Sequence, residues 1–120
     1  MPITQILEKN ARLYANDVCL VEISPELQEK REVTWKEFEL IETNPKEHYR
    51  KEITWKEFDD KANRFANYLI ANNITKGKKV AILLMNCIEW LPIYFGILKT
   101  GALAVPLNYR YTAEEIRYCL

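Results

Sequence analysis

The chain has 120 residues, the size of one domain or of part of a larger one. It carries 17 basic and 17 acidic residues, and this zero net charge predicts no binding to nucleic acid, which generally uses an excess of positive charge. The 48% hydrophobic residues predict a folded core, and the three glycines match no glycine-rich phosphate loop.

The reactive side chains are few and poorly placed for catalysis. Ser24 and His48 are the only serine and the only histidine, so a serine–histidine catalytic pair is not expected. Cys19, Cys87 and Cys119 are widely spaced without a C-x-x-C pair, which favours reduced thiols over a zinc site or a disulfide framework. No metal site is therefore predicted.

No segment has the character of a signal peptide or of a membrane span. The first 20 residues lack a continuous apolar stretch, and no window approaches the ~18 apolar residues of a transmembrane helix. We therefore expect a cytoplasmic protein.

The first 50 residues are predicted to form a leading helix, a strand and a hairpin insertion. Apolar residues at helical spacing indicate a helix over Ile3 to Tyr14, and a β-branched run indicates a strand over Val18 to Ile23. The hairpin is expected to consist of a strand over Lys36 to Glu42, a turn at Asn44 to Lys46, and a return strand over His48 to Thr54.

A seven-residue segment has a second copy twenty residues later, identical at six of seven positions. Glu32–Phe38 is followed twenty residues later by Glu52–Phe58, and each copy contains the Thr-x-x-Glu pattern of a helix capping box. An apolar stripe follows the second copy and predicts a helix over Trp55 to Asn72. Pro45 follows the first copy and disfavours a long helix there, so the two copies are expected to adopt different structures.

A parallel βαβ unit is predicted next. The apolar run Lys79 to Met85 indicates a strand buried on both faces, and Leu103 to Leu107 indicates a second short buried strand. Asn86 is expected to cap a connecting helix from Cys87 to Thr100, with Gly101 at its C-terminal end. A parallel pair joined in this way is expected to be right-handed.

The last segment is predicted to add one more helix. Thr112 and Glu115 form a capping box that opens a helix of about two turns before Leu120. A parallel sheet normally continues with a further strand, so we expect the C-terminus to be a truncation. The predicted fold class is α/β, with residues 51–120 forming a helix plus a βαβα unit.

Four segments in this order resemble the N-terminal part of AMP-forming acyl-CoA synthetases of the fatty-acid and carnitine type, which belong to the adenylate-forming superfamily. Ile53–Phe58 is similar to the family motif (L/I)-T-Y-x-E-L, Thr75–Leu84 to the strand KGDRVAILL, Asn86–Trp90 to N-x-x-E-(F/W), and Leu98–Asn108 to LKAGA-x-x-VPLN, before a T-x-x-E-(I/L) helix. The resemblance covers roughly the last 70 residues; residues 31–51 depart from the family pattern.

The resemblance implies an N-terminal fragment of the adenylate-forming fold, and a two-step reaction in the parent enzyme. A carboxylate attacks the α-phosphate of ATP, with Mg²⁺ offsetting phosphate charge, and the thiol of coenzyme A then displaces AMP from the acyl-adenylate. The family's phosphate loop, ribose-binding acid, hinge and late lysine match nothing in this chain. We therefore expect no catalytic residue here, no bound cofactor, and no activity of the 120 residues alone.

Asn108 and Arg110 are the best local candidates for bordering a ligand site. They follow a strand at its carboxyl end, where open α/β sheets bind ligands. The favoured interpretation is nevertheless structural, with Asn108 bonding the turn and Arg110 pairing with a carboxylate.

Two further groups admit a functional and a structural interpretation. Trp90, Tyr94 and Phe95 could line an acyl tunnel, but their helical spacing favours the core. The lysines around Gly77 could attract phosphate, but a solvated turn is favoured.

Two alternative functions remain open. The chain could be a stand-alone α/β interaction module with the hairpin as its contact edge. Separately, the exposed sheet edge or the hairpin could form a dimer. It could also be a flavodoxin-like nucleotide-binding domain, which the missing phosphate loop disfavours.

Overall fold

The structure is a computed structural model that describes residues 2–23, 32–36, 39–43 and 50–120. In these ranges the elements follow the order α1 (Ile3–Leu13), β1 (Val18–Ile23), β2 (Glu32–Lys36), β3 (Glu39–Thr43), β4 (Arg50–Thr54), α2 (Trp55–Ala71), β5 (Lys79–Leu83), α3 (Trp90–Lys99), β6 (Leu103–Leu107) and α4 (Ala113–Cys119). This order confirms the predicted α/β class, with helix and hairpin preceding a βαβα unit.

The strands pair in three ladders of two. β1 pairs with β4 and β2 with β3, both antiparallel, while β5 pairs with β6 in parallel. The parallel ladder runs in continuous register from Lys79 opposite Leu103 to Leu83 opposite Leu107. The parallel βαβ prediction is thereby confirmed.

The predicted hairpin is wrong in its pairing. Lys36 to Glu42 does not form one strand, because β2 and β3 pair with each other, and the return strand pairs with β1 instead. The reason is burial: opposite Leu20, Ile53 enters a core cluster and is buried. The predicted turn at Asn44 to Lys46 lies outside the described residues.

The second copy of the repeated segment begins α2 as predicted. The Glu57 N–H donates to Thr54 Oγ1 at 3.2 Å, and the Thr54 N–H donates to Glu57 Oε1 at 3.4 Å. The first copy contributes Glu32–Lys36 to a strand instead. The two copies therefore differ in structure where their tryptophans lie, because only the second copy is followed by a stripe that can pack as a helix.

The first turn of α2 is also bonded to the connection between α1 and β1. The Trp55 N–H donates to the Asp17 carbonyl at 3.1 Å, and the Lys56 N–H donates to the Ala15 carbonyl at 3.2 Å. These are N–H groups that lack a partner within any α-helix, so the connection satisfies them.

The core lies where α2 packs against α3, α1 and the strands. It consists of two clusters of buried residues: Leu7, Ile53, Phe58, Ala62 and Ile88 in one, and Leu69, Ile82, Ile97 and Ala102 in the other. The helices approach so closely that a Cβ on Gly96 would lie 3.0 Å from the Ala62 carbonyl oxygen and 2.9 Å from Phe65 Cδ1. Glycine at this crossing therefore permits the contact.

The prediction that β5 is buried on both faces is wrong, and β6 is not a fully buried strand. Ile82 is buried against Leu69 and Ile97, but Leu83 is exposed and Leu103 is 55% exposed. Side chains alternate across a strand, and within the described chain the helices cover only one face of this pair. The first strand also ends at Leu83 rather than at Met85.

The start of α3 differs from the predicted one. Asn86 does not cap it; the helix begins at Trp90 after a turn in which the Trp90 N–H donates to the Cys87 carbonyl at 3.1 Å. Pro92 lies in the first turn, where its missing N–H costs no hydrogen bond. Gly101 follows the helix with φ of +82°, which confirms its expected role at the C-terminal end.

The predicted capping box of the last helix is confirmed. The Glu115 N–H donates to Thr112 Oγ1 at 3.3 Å, and the Thr112 N–H donates to Glu115 Oε2 at 3.0 Å.

Candidate functional site

Two loops leave the parallel strand pair at the same edge. Leu83 and Leu107 end their strands opposite each other, so the segments 84–89 and 108–112 both begin at the carboxyl edge. Ligands of open α/β sheets bind at this edge. Asn108 and Arg110 lie there, and both are exposed.

Both candidate side chains are engaged locally. Asn108 Oδ1 accepts a hydrogen bond from the Arg110 N–H at 3.0 Å, which confirms that Asn108 bonds the turn. The expected ion pair is not found: among the residues that the structure describes, no carboxylate pairs with Arg110. Its Nε donates to Tyr109 Oη at 3.0 Å, and its guanidinium lies 5.4 Å from the centroid of that ring. The contact with Tyr109 holds the Arg110 guanidinium at the carboxyl edge of the strand pair without neutralising its charge.

An open groove of about 420 Å³ lies between β1 and the segment that follows β5. Its lining is mostly apolar, and consists of Leu20, Val21, Glu22, Ile23, Asn86, Cys87, Ile88, Trp90 and Leu91. Asn108 and Arg110 do not line it. The structure therefore does not unite the groove and the predicted candidates in one cavity.

Glu22 joins the two sides of this groove. Its Oε1 accepts a hydrogen bond from the Ile88 N–H at 3.1 Å, and its Oε2 lies 3.8 Å from Lys51 Nζ. A hydrogen bond to a charged group is worth about 1.5–3 kcal/mol, so Glu22 fixes the turn before α3 against β1. Sequence reasoning missed this contact because 66 residues separate the partners.

Cys87 lines the groove but is not an activated nucleophile. Burial raises the pKa of its thiol, which disfavours the reactive thiolate. α3 begins three residues later, so Cys87 does not lie in its first turn. The partial burial of Cys87 agrees with packing as a small apolar side chain.

The aromatic stripe of α3 packs in the core. Phe95 meets Phe58 edge to face, with ring centroids 5.2 Å apart, and Trp90 stacks on Tyr94 at 5.3 Å. All three stripe residues pack against the buried clusters, as the structural interpretation predicts. Trp90 also reaches the groove.

The lysines near Gly77 are exposed in a turn, as expected for a solvated connection. Ser24 and His48 lie outside the described residues.

A largely covered lysine side chain that sequence reasoning did not single out connects three helices. Lys99 Nζ lies 2.7 Å from Asp59 Oδ1 and 3.3 Å from Glu8 Oε1, and the lysine side chain is only 8% exposed. A lysine in the last turn of a predicted helix was visible in the sequence, but nothing local showed that it points inward. We assign it to stability, because both carboxylates already satisfy it.

No group of three metal-ligating side chains occurs among the residues that the structure describes. Within the same residues, no helix is both long enough and apolar enough to cross a membrane.

A family model described as AMP-binding enzyme matches residues 7–120. The chain belongs to this family. The resemblance to acyl-CoA synthetases drawn from four short motifs is thereby confirmed, and the family model extends the match to most of the first 50 residues.

The curated relatives that this chain matches include CoA ligases. It is 44% identical over 59 residues to the long-chain-fatty-acid–CoA ligase FadD13 of Mycobacterium tuberculosis, which is 49% of this chain and 12% of that protein. It is 42% identical over 62 residues to the crotonobetaine/carnitine–CoA ligase of Citrobacter koseri, 52% of this chain and 12% of that ligase. The match thus spans about an eighth of each relative.

The fold agrees with a solved N-terminal domain. The N-terminal domain of FACL13 from Mycobacterium tuberculosis superposes with a TM-score of 0.71 at 25% identity, covering 98% of this chain and 24% of that one. The chain therefore has the architecture of an N-terminal subdomain of adenylate-forming enzymes.

Proposed function

We propose that the chain is the N-terminal part of an ATP-dependent acyl-CoA ligase that activates a fatty acid. The observation that carries the proposal is the family match over residues 7–120, together with the relatives named as fatty-acid–CoA ligases. The matched 59 residues cover 12% of such a ligase, so the proposed reaction belongs to the whole protein.

The proposed reaction has two displacements. A carboxylate oxygen attacks the α-phosphorus of ATP, which forms the acyl-adenylate and breaks the bond to pyrophosphate. The thiolate of coenzyme A then attacks the acyl carbonyl, which forms the thioester and releases AMP.

The residues of this chain do not fit an ATP–Mg²⁺ site. The described part of the chain offers no cluster of three ligating side chains, and the glycines at 77, 96 and 101 match no phosphate-binding loop. No chemical step is therefore assigned to these residues, and the 120-residue chain alone is expected to be inactive.

The proposed role of this chain is to build one wall of the ligase. Two helices cover one face of the β5–β6 pair, while Leu84 and Met85 are exposed beyond its carboxyl edge. In the whole enzyme we place the ligand site beyond this edge, bordered by Asn108 and Arg110. Arg110 keeps its positive charge there, which suits an anionic substrate or product.

The test begins with the reading frame that encodes the chain. If it continues for several hundred codons and encodes a Ser/Thr/Gly-rich loop ending in Lys-Gly, the whole protein is assayed for ATP–pyrophosphate exchange with fatty acids. Exchange should require a fatty acid, and coenzyme A should then yield the thioester. Residues 1–120 alone, assayed in parallel, should give no exchange.

The opposite result favours a different class of protein. A stop codon directly after Leu120 would refute the ligase proposal, as would a whole protein with no carboxylate-dependent exchange. A cooperative melt of residues 1–120 would then favour the stand-alone interaction module.

A further inference from the structure

The strand that pairs with β1 has a second copy of its sequence in the same chain. Residues 30–38 read KREVTWKEF and residues 50–58 read RKEITWKEF, identical at six of nine positions and conservatively replaced at the other three. We call these segments the first copy and the second copy. Only the second copy pairs with β1.

The second copy is held at β1 by side chains that the first copy also possesses. Ile53 is buried opposite Leu20, the Thr54 hydroxyl accepts the Glu57 N–H, and buried Phe58 packs on Phe95. The sequence of the first copy supplies their counterparts in the same order: Val33, Thr34, Glu37 and Phe38.

The charges match as well. Lys51 lies opposite Glu22 in the ladder, with 3.8 Å between its Nζ and Glu22 Oε2. The first copy places Arg31 at this register position. An arginine pairs with a carboxylate at least as well as a lysine does.

We propose that the first copy can replace the second copy at β1 within one chain, as an intramolecular strand exchange. Val33 then lies opposite Leu20, and Thr34 opposite Val18. The connection from β1 shortens from 26 residues, 24–49, to six, 24–29. The β2–β3 ladder lies inside the longer connection, and the exchange must open it to release the first copy.

Sequence after the two copies explains why the second copy holds the site. α2 continues with Ala62, Phe65 and Ala66, of which the two alanines are buried. At the corresponding positions the first copy is followed by Glu42, Pro45 and Lys46. A buried glutamate and a proline inside a helix are both unfavourable, so the first copy can supply only the strand and the first helical turn. The exchanged form is a minor state that grows when the second copy is damaged.

The experiment measures how often the first copy reaches β1. In the full chain with Cys19→Ala, Cys87→Ala and Cys119→Ala, the reporter pair is Leu20→Cys with Val33→Cys. Register partners in an antiparallel ladder have Cα atoms about 4.5–5.5 Å apart, within the range of a disulfide. Diamide oxidises the pair, and peptide mass spectrometry gives the initial rate of the intramolecular cross-link.

Ile53→Asp is then added to the reporter chain. It places an unpaired charge at the buried position of the second copy, so the cross-linking rate should rise by about tenfold or more. The matched control is Lys56→Asp, at an exposed position of the same copy, which should leave the rate unchanged.

Three results would overturn the exchange. The first is a rate that Ile53→Asp does not raise. The second is cross-linking that occurs between chains and increases with protein concentration, because it indicates swapped dimers. The third concerns the melting temperature. Ile53→Asp is made in the chain that keeps Val33 and in a chain that carries Val33→Asp. If it lowers the melting temperature by the same amount in both, the first copy does not compensate for damage to the second copy.

Discussion

Replacing Gly96 by alanine should destabilise the chain although alanine is the better helix former. In an unconstrained helix this substitution stabilises by about 1 kcal/mol. Here the new Cβ would lie 2.9 Å from Phe65 Cδ1 and 3.0 Å from the Ala62 carbonyl oxygen. The ring edge can turn aside, but the carbonyl belongs to the backbone of α2, so the two helices must move apart.

Overpacking of this kind typically costs about 1–3 kcal/mol. We expect the clash to outweigh the gain in helix propensity and leave a net loss of up to about 2 kcal/mol in the free energy of unfolding. At about 4 °C per kcal/mol for a chain of this size, the melting temperature should fall by up to roughly 8 °C.

The assay is urea unfolding of the chain followed by tryptophan fluorescence, with Gly101→Ala as the control. Gly101 has φ of +82°, and a Cβ added to it would lie 3.4 Å from the nearest atom, Lys76 Cβ. Its replacement by alanine therefore tests backbone strain without a clash. A double-mutant cycle of Gly96→Ala with Phe65→Ala should show a coupling of about 1 kcal/mol, whereas Gly101→Ala should show none. If Gly96→Ala instead stabilises the chain by about 1 kcal/mol, the close approach of α2 and α3 is refuted.

Three further predictions concern a cap, an ion pair and a thiol. Thr54→Ala should lower the unfolding free energy by about 1 kcal/mol in the same assay, because it removes the α2 cap, while Thr34→Ala in the first copy should leave that helix unaffected. Lys99→Met should cost about 3 kcal/mol in urea, because it leaves a mostly buried carboxylate unpaired; a loss below 1 kcal/mol would contradict the assignment. Burial raises the pKa of Cys87, so iodoacetamide should alkylate exposed Cys119 first at pH 8, as read by mass spectrometry; equal rates would contradict the burial. The contribution of the protonated Cys87 thiol to the free energy of unfolding is fully present below the ordinary thiol pKa and is lost as the pH rises above it.

Local features of the fold were predictable from the sequence. The helix over Trp55 to Ala71 follows a capping box and carries an apolar stripe, so both its start and its buried face were predictable. Gly101 ended α3 as expected for a residue with positive φ. These features depend on neighbours within a few residues, which is the range over which sequence patterns act.

Strand pairing was less predictable, because it depends on residues far apart in the chain. The two copies offered nearly the same strand and helix signals, and the apolar stripe that follows the second copy determines which one meets β1. The prediction that β5 is buried on both faces failed for a related reason. An apolar run shows that a strand avoids water, but not whether this chain supplies the cover for both faces.

The candidate site was predictable only in part. Asn108 bonds its own turn, a local contact typical of asparagine, and was recognised. Glu22 was missed because its partner is a backbone N–H 66 residues away, which no sequence motif marks. The ion pair of Lys99 with Asp59 was missed for the same reason, with 40 residues between the partners.

The start of α2 has a consequence for anions. Helix N-termini commonly bind phosphate through free N–H groups and the positive end of the helix dipole. In α2 the N–H groups of Trp55, Lys56 and Glu57 already bond the Asp17 carbonyl, the Ala15 carbonyl and the Thr54 hydroxyl. The Thr54 N–H also donates to Glu57 Oε1, so all four N–H groups that lack a partner within this helix are bonded by the chain itself, and the start of α2 offers no free donor to a phosphate.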